Sequence, residues 1–322
     1  MGVGPKECGE ELATQQAFVL SKTDSPLFPY NQSLSFIYKS MAHGHQHGAQ
    51  QQGPFPLPGV SNIIAVGSGK GGVGKTTIAV NLAVALAQMG YKTGLLDADV
   101  YGPNVPLMMH TSQQPRVLNE NLIEPLQNYG VKIISVGFLN PGDKPIVWRG
   151  PMLHQIIRQF LQQVVWGELD YLVVDLPPGT GDVVISLFQT VPLSGAVVVS
   201  TPSDVSLQDG RKAIEMFRTA RVDVLGLVEN MSNFLCPHCH QEIDIFSKGG
   251  VERTAQQFSV PFLGSIELDP EIRKGGDDGK PPALAGENDP HAKSLYDFAK
   301  RVLMRLAEVK SSSAPGDVIQ VQ

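Results

Sequence analysis

Ile63-Ile64-Ala65-Val66-Gly67-Ser68-Gly69-Lys70-Gly71-Gly72-Val73-Gly74-Lys75-Thr76 is the stretch whose reading decides the fold. A short apolar run, Ile63 to Val66, ends in a glycine-rich loop that matches G-x-x-x-x-G-K-[ST] without a gap. Beyond the loop, Ile78, Leu82, Ala85, Leu86 and Met89 recur at helical spacing until Gly90 stops them. Strand, loop and helix in that order are the context the motif needs. Glycines allow backbone N–H groups to close around a phosphate where a Cβ would obstruct the approach. The helix starting near Lys75 adds the positive end of its dipole. The expected ligand is ATP, bound through Gly69, Lys70, Gly71, Gly72, Val73, Gly74, Lys75, Thr76 and Thr77. Lys75 is expected to neutralise the β- and γ-phosphates, and the Thr76 hydroxyl to ligate Mg²⁺.

Outward from the loop, strand-like and helical patterns alternate. Strands are expected at Thr93 to Asp97, Val131 to Val136, Tyr171 to Asp175, Ala196 to Ser200, Val224 to Glu229 and Pro261 to Ile266. Helices are expected between several of them, at Met152 to Val165, Asp182 to Thr190, Leu207 to Ala220, Gly250 to Phe258 and His291 to Val309. The strands read as apolar runs that do not alternate with polar residues, which suits burial on both faces. Their alternation with helices predicts an α/β fold, a doubly wound and mostly parallel sheet of the P-loop NTPase kind. One ATPase domain is expected over residues 61–310. Residues 1–60, rich in Gln, Ser, Pro, Gly and His, read as a flexible arm in which Met41 is a second candidate start, and 311–322 as a disordered tail.

Composition narrows the setting. The net charge of −6 gives no support to a nucleic-acid surface. Three cysteines, Cys8, Cys236 and Cys239, are too few for a disulfide framework in 322 residues. Met1 to Glu11 has no apolar core of a signal peptide, and no run approaches the roughly 20 apolar residues that span a bilayer. A cytoplasmic, reducing location without membrane or nucleic-acid partners is expected. The run His43, His45, His47 reads as a solvated segment, although such tracts can bind metal.

Two aspartate segments are expected to complete the nucleotide site. Tyr171-Leu-Val-Val-Asp175 is an apolar strand ending in a carboxylate, suited to holding Mg²⁺ through water. Leu176 to Asp182 continues as a stiff Pro- and Gly-containing loop that could sense the γ-phosphate. Asp97 and Asp99 end another strand two residues apart, on one side of the backbone. One is expected near Mg²⁺ and the other to orient the attacking water. Ordinary strand-end polarity is the competing reading.

The second lysine, Lys70, at the head of Lys70-Gly-Gly-Val-Gly-Lys75-Thr-Thr resembles the deviant phosphate loop of the MinD/ParA/nitrogenase-iron-protein class of dimeric ATPases. The resemblance implies that Lys70 reaches a partner subunit's nucleotide, that Asp97 and Asp99 belong to one switch and Asp175 to Asp182 to another, and that Asn230 reads adenine. An amide offers donor and acceptor to a base edge. Asp97-Ala-Asp-Val-Tyr-Gly-Pro-Asn104, Asp175-Leu-Pro-Pro-Gly-Thr-Gly-Asp182, Asn230-Met-Ser and Cys236-Pro-His-Cys239 followed by Ile243-Asp-Ile-Phe246 narrow it further. Together they resemble the Mrp/ApbC iron–sulfur cluster carriers, over residues 57 to 309. That likeness implies slow ATP hydrolysis, a labile [4Fe–4S] cluster, and apo iron–sulfur proteins and cluster donors as partners. Three departures stand out: residues 1–60 look too polar and irregular to be the small domain that many bacterial relatives carry ahead of the loop, Cys8 alone cannot form an N-terminal four-cysteine cluster, and His240 follows Cys239 where the family usually has Gly.

A cubane cluster normally needs four thiolates, and Cys236-x-x-Cys239 supplies two. A cluster here therefore asks for a homodimer with two thiols from each copy. A zinc-stabilised ATPase dimer, with His238 or His240 as further ligands, and a redox dithiol remain alternative readings of the pair. A MinD/ParA-like positioning ATPase is the alternative that leaves the cysteines unexplained. Trp148-Arg149 reads as a subunit contact, and the apolar face of the last helix, Leu295, Phe298, Val302 and Leu306, as packing in preference to membrane docking.

Overall fold

The structure, a computed structural model, describes residues 56–119, 122–139, 150–181, 184–185, 188, 192–236, 238–239 and 241–313. Cys8, the three histidines of 43–47, Trp148, Arg149, Asp182 and His240 lie outside them, as does most of the helix expected over 182–190.

The chain enters through β1 (Ile63–Gly67), α1 (Lys75–Gln88) and β2 (Thr93–Asp97). A short α2 (Val105–Met108) and the antiparallel pair β3 (Arg116–Asn119) and β4 (Leu122–Glu124) follow. Next come β5 (Leu126–Asn128), β6 (Val131–Ser135), α3 (Gly150–Gln163), β7 (Tyr171–Asp175), β8 (Gly195–Ser200), α4 (Asp204–Thr219) and β9 (Val224–Asn230). A two-residue hairpin, β10 (Phe234–Leu235) with β11 (Glu242–Ile243), precedes α5 (Gly250–Gln257), β12 (Phe262–Ile266), α6 (Pro270–Asp277) and α7 (Lys293–Ser313).

Among the described residues the main sheet has eight strands in the order β12-β9-β8-β1-β7-β2-β6-β5. Every pair is parallel except β5 with β6. Strands buried on both faces read as unbroken apolar runs, and β1, β2 and β8 are buried at every residue. The fold is thus the doubly wound α/β sheet the sequence implies, with an antiparallel edge.

Helix α1 is buried nearly all round, from Ile78 through Leu86. It lies between the sheet and α7, whose Leu295, Phe298, Val302 and Leu306 are each 3% exposed or less. The apolar stripe of the last helix is therefore spent on packing, and truncating Phe298 to alanine would cost about 3–5 kcal/mol. Among the described residues no helix is long and apolar enough to cross a membrane. Packing begins before the expected boundary at residue 61: Leu57 is buried and Val60 bridges to Leu169. At the other end α7 runs to Ser313, three residues into the stretch expected to be a tail.

Candidate nucleotide and thiol site

Register places the acidic residues. In neighbouring parallel strands, Ser135 of β6 pairs with Asp97 of β2, Asp97 with Asp175 of β7, and Asp175 with Val66 of β1. The row lies at the carboxyl ends of the strands, the edge at which open α/β sheets bind ligands. The loop leaving β1 folds over it and brings down Lys75, only 6% exposed. Its Nζ lies 2.6 Å from Asp175 Oδ1 and 3.3 Å from Asp99 Oδ2. The Thr76 hydroxyl donates to Asp175 Oδ2 at 2.7 Å.

The two aspartates of β2 part ways. Asp97 is fully buried; its Oδ2 accepts the Ser135 hydroxyl at 2.7 Å and its Oδ1 the Asp99 N–H at 3.0 Å. Asp99 lines the cavity over the loop, and Asp97 does not. Alternation along a strand suggested a common side, but β2 ends at Asp97, and Asp99 belongs to the turn that follows. Burial, reinforced by the charge of Asp175, pushes Asp97 up to about 8, against the pull of the Ser135 and Asp99 hydrogen bonds. Burial also raises Asp175, with Lys75 and Thr76 opposing. For Lys75, burial acts downward but is outweighed by the charges of Asp175 and Asp99, so its ammonium is held above the usual range. Two carboxylates, Asp99 and Asp175, contact the single Lys75 ammonium, while Asp97 stands behind them without an ion pair to it.

Two glycines of the loop are fixed by protein neighbours. At Gly74, φ is +81° and a Cβ would stand 2.1 Å from Asn230 Nδ2. At Gly69 a Cβ would stand 2.0 Å from the Asp209 carbonyl oxygen of α4. The sequence argument assigned these glycines to the phosphate; at Gly69 close helix packing forbids a side chain on its own account.

The cavity over the loop, about 540 Å³, is lined by Ser68, Lys70, Gly71, Gly72, Gly74, Lys75, Thr76, Thr77 and Asp99, with Ile272, Arg273 and Gly276 of α6 across from them. Helix α6 went unread in the sequence, although Asp269-Pro270 is a start signal: Asp269 Oδ1 accepts the Glu271 N–H at 2.8 Å. A second cavity of about 440 Å³ adjoins the first and shares Thr77, Ile272 and Arg273 with it. Asn230 stands in the second cavity. One of its amide hydrogens is already given to the Val73 carbonyl at 2.8 Å, so the residue clasps the loop while facing the neighbouring space.

From Asn230 the chain runs directly into β10 and the cysteines. Phe234 pairs with Ile243 and Leu235 with Glu242, and the Cys236 N–H donates to the Gln241 carbonyl at 3.0 Å. The C-x-x-C motif is therefore the tip of a hairpin. The backbone N–H of Cys239, the backbone N–H of His238 and the Cys239 side chain hydrogen-bond the Cys236 sulfur and hold that thiol below its ordinary value. Cys236 is half-buried and Cys239 exposed, with Leu235, Ile243, Ile245 and Phe246 exposed around them. Among the described residues no group of three or more His, Cys, Asp or Glu could hold a metal ion.

A parallel α/β sheet, a glycine loop between β1 and α1, and Asp175 beside Thr76 on the adjoining strand define a P-loop NTPase. The comparisons narrow the class. The family model described as NUBPL iron-transfer P-loop NTPase, of the ParA group, matches residues 59–303, and the chain belongs to that family. It is 51% identical over 256 residues to the iron–sulfur cluster carrier protein of Aquifex aeolicus, covering 79% of this chain and 70% of the relative. It is 50% identical over 267 residues to a mitochondrial iron–sulfur protein of Arabidopsis thaliana required for NADH dehydrogenase, covering 83% and 85%. Among solved structures, the nucleotide-binding protein of Archaeoglobus fulgidus in complex with ADP superposes with a TM-score of 0.63 at 37% identity, covering 74% of this chain and 92% of that one.

Proposed function

We propose that this chain is an ATP-hydrolysing carrier of [4Fe–4S] clusters that works as a homodimer, each copy contributing Cys236 and Cys239. The observation that carries the reading is the hairpin. It presents two accessible thiols, one of them held acidic by backbone N–H groups, on the chain that leaves the nucleotide site. Neutral thiols are poor ligands, so a lowered Cys236 suits metal binding. Two thiols are half of what a cubane needs, and the exposed Leu235, Ile243, Ile245 and Phe246 give a second copy an apolar surface to meet. The cluster is cargo, passed to apo-proteins named in this reading only by their need for one. Free thiols require a reducing compartment. We assign the cytoplasm; a mitochondrial site, as in the Arabidopsis relative's name, meets the same requirement.

For hydrolysis, backbone N–H groups of residues 69–76 and the Lys75 ammonium hold the phosphates, and Lys70 at the rim of the cavity extends toward the second copy. The Thr76 hydroxyl and Asp175 carboxylate, side by side, form an all-oxygen pair that fits Mg²⁺. Bound there, the ion would neutralise phosphate charge. Asp99, which reaches the cavity, is assigned to orient the attacking water. Asp97 serves behind it as a buried anchor through Ser135. Asn230 is assigned to the adenine edge.

The test is anaerobic reconstitution with iron and sulfide. About four irons per dimer are expected in the wild type, with none in Cys236→Ala or Cys239→Ala. Zinc retained without a cluster would refute the carrier reading. Phosphate release should be slow, and rapid turnover by the isolated protein would contradict the assigned mechanism.

A further inference from the structure

Leu268, Pro270 and Ile272 line the second cavity together with Asn230, Met231 and Phe234, and Glu267, Asp269 and Arg273 add charge to the lining. Its continuity with the phosphate cavity through Thr77, Ile272 and Arg273, and its mostly apolar lining, fit it for the base of a nucleotide whose phosphates lie on the loop. Phe234 belongs to both sites. It lines the base cavity, and it is also the first residue of β10, paired with Ile243, two residues before Cys236.

The segment that leads into Phe234 is poorly placed to absorb a displacement. The Ser232 N–H is bonded to the Ile266 carbonyl at 3.0 Å, and the Leu268 N–H to the Asn233 carbonyl at 2.8 Å. Upstream, Met231 holds a left-handed backbone at φ +57°, which bulky residues rarely adopt and which tends to mark functional segments. With its entry anchored to the end of β12, the hairpin can respond to a push on the Phe234 ring mainly by moving its free end, where the thiols are.

We propose that Phe234 is the positioning residue that couples the nucleoside base to the cysteine hairpin. A base entering the cavity packs against the Phe234 ring and resets the geometry of Cys236 and Cys239. The phosphates alone, which touch only the loop, do not. This rests on the proposed carrier reading for its purpose, but not for its test.

The test uses the full-length, metal-free, reduced protein. Alkylation of each cysteine by iodoacetamide is followed by peptide mass spectrometry without ligand, and with ATP, ADP or inorganic tripolyphosphate. ATP and ADP are expected to change the Cys236 rate by about fivefold, with tripolyphosphate leaving it near the ligand-free value. Phe234→Ala, with ATP saturating by that variant's own binding titration, should lose the nucleotide effect on alkylation, and Phe234→Tyr should restore it. The inference is overturned if tripolyphosphate acts as ATP does, if no nucleotide alters the rate, or if Phe234→Ala responds like the wild type. The first two outcomes need no variant, so a misfolded mutant cannot shelter the idea. Because no iron is present, failure of the carrier reading would appear separately, as absence of a cluster on reconstitution.

Discussion

Replacing Asp97 by asparagine should flatten the pH dependence of stability in the nucleotide-free protein. Asp97 is fully buried and pushed up to about 8 from an ordinary 3.8. Between those values the folded chain keeps a proton that the unfolded chain releases, so stability is greatest below the lower value and falls as pH rises toward the upper one. One retained proton corresponds to about 1.4 kcal/mol per pH unit, or about 4 kcal/mol between roughly pH 5 and 8. Complete burial means that solvent screening takes little away, but part of the shift comes from the charge of Asp175, so this figure is a ceiling for Asp97. Asparagine keeps the shape of the side chain and one oxygen to accept from Ser135 or the Asp99 N–H. Urea unfolding of both chains in a Mg²⁺-free buffer across that range measures the effect. The variant should be little different near the acid end and progressively more stable than the wild type toward the alkaline end. Parallel curves for the two chains would refute the argument, because Asp97 would then ionise without cost inside the fold.

Lys75→Met should abolish binding of a fluorescent ATP analogue. It should also lower stability near neutral pH by about 3–5 kcal/mol, because Asp99 and Asp175 lose a counter-charge 6% exposed to solvent; unchanged urea midpoints would count against that cluster. Gly69→Ala and Gly71→Ala, equal by motif, should differ in thermal unfolding. Gly69→Ala drives a Cβ to 2.0 Å from the Asp209 carbonyl oxygen and should cost about 2–4 kcal/mol, whereas at Gly71 the nearest atom is Pro178 Cβ at 3.9 Å and the cost should stay below about 1 kcal/mol.

Much of this molecule is legible because its signals are local. A buried parallel strand is an apolar run, and a phosphate loop is a contiguous string, so β1, α1 and the strand ending at Asp175 follow from short windows. What escaped is set by register and approach. Nothing along the chain tells that Ser135 would sit beside Asp97, or that Asp97 would be shut away while Asp99 reached the cavity. Both follow from three strands aligned in parallel. Strands β10 and β11 are two residues each, too short for any periodicity, so the C-x-x-C was readable as a motif but not as a hairpin tip. The short helix α6 contains Gly275 and Gly276 and has poor intrinsic propensity, yet it forms the far wall of the nucleotide cavity.

The coupling proposed above asks the hairpin to respond mechanically, and its two ends bear on how it would. Adjacent residues at the end of β9 hold both sides of the excursion 231–248. Asn230 clasps the phosphate loop through the Val73 carbonyl, while the buried Glu229 accepts the N–H of Gly249 at 3.0 Å and that of Val251 at 2.9 Å, at the start of α5. A carboxylate at a helix N-terminus is well placed to hold it. Left-handed backbone at Met231 (φ +57°) and Ser247 (φ +66°) brackets the same stretch, although neither residue is glycine. Anchors at both feet and sharp turns at both ends favour movement of the stretch as a flap over sliding along the sheet. On that proposal, a nucleotide-driven change within one copy reaches the thiols through what touches the flap from inside. Among the residues lining the nucleotide cavities, Met231 and Phe234 belong to that flap, and Phe234 stands in its strand.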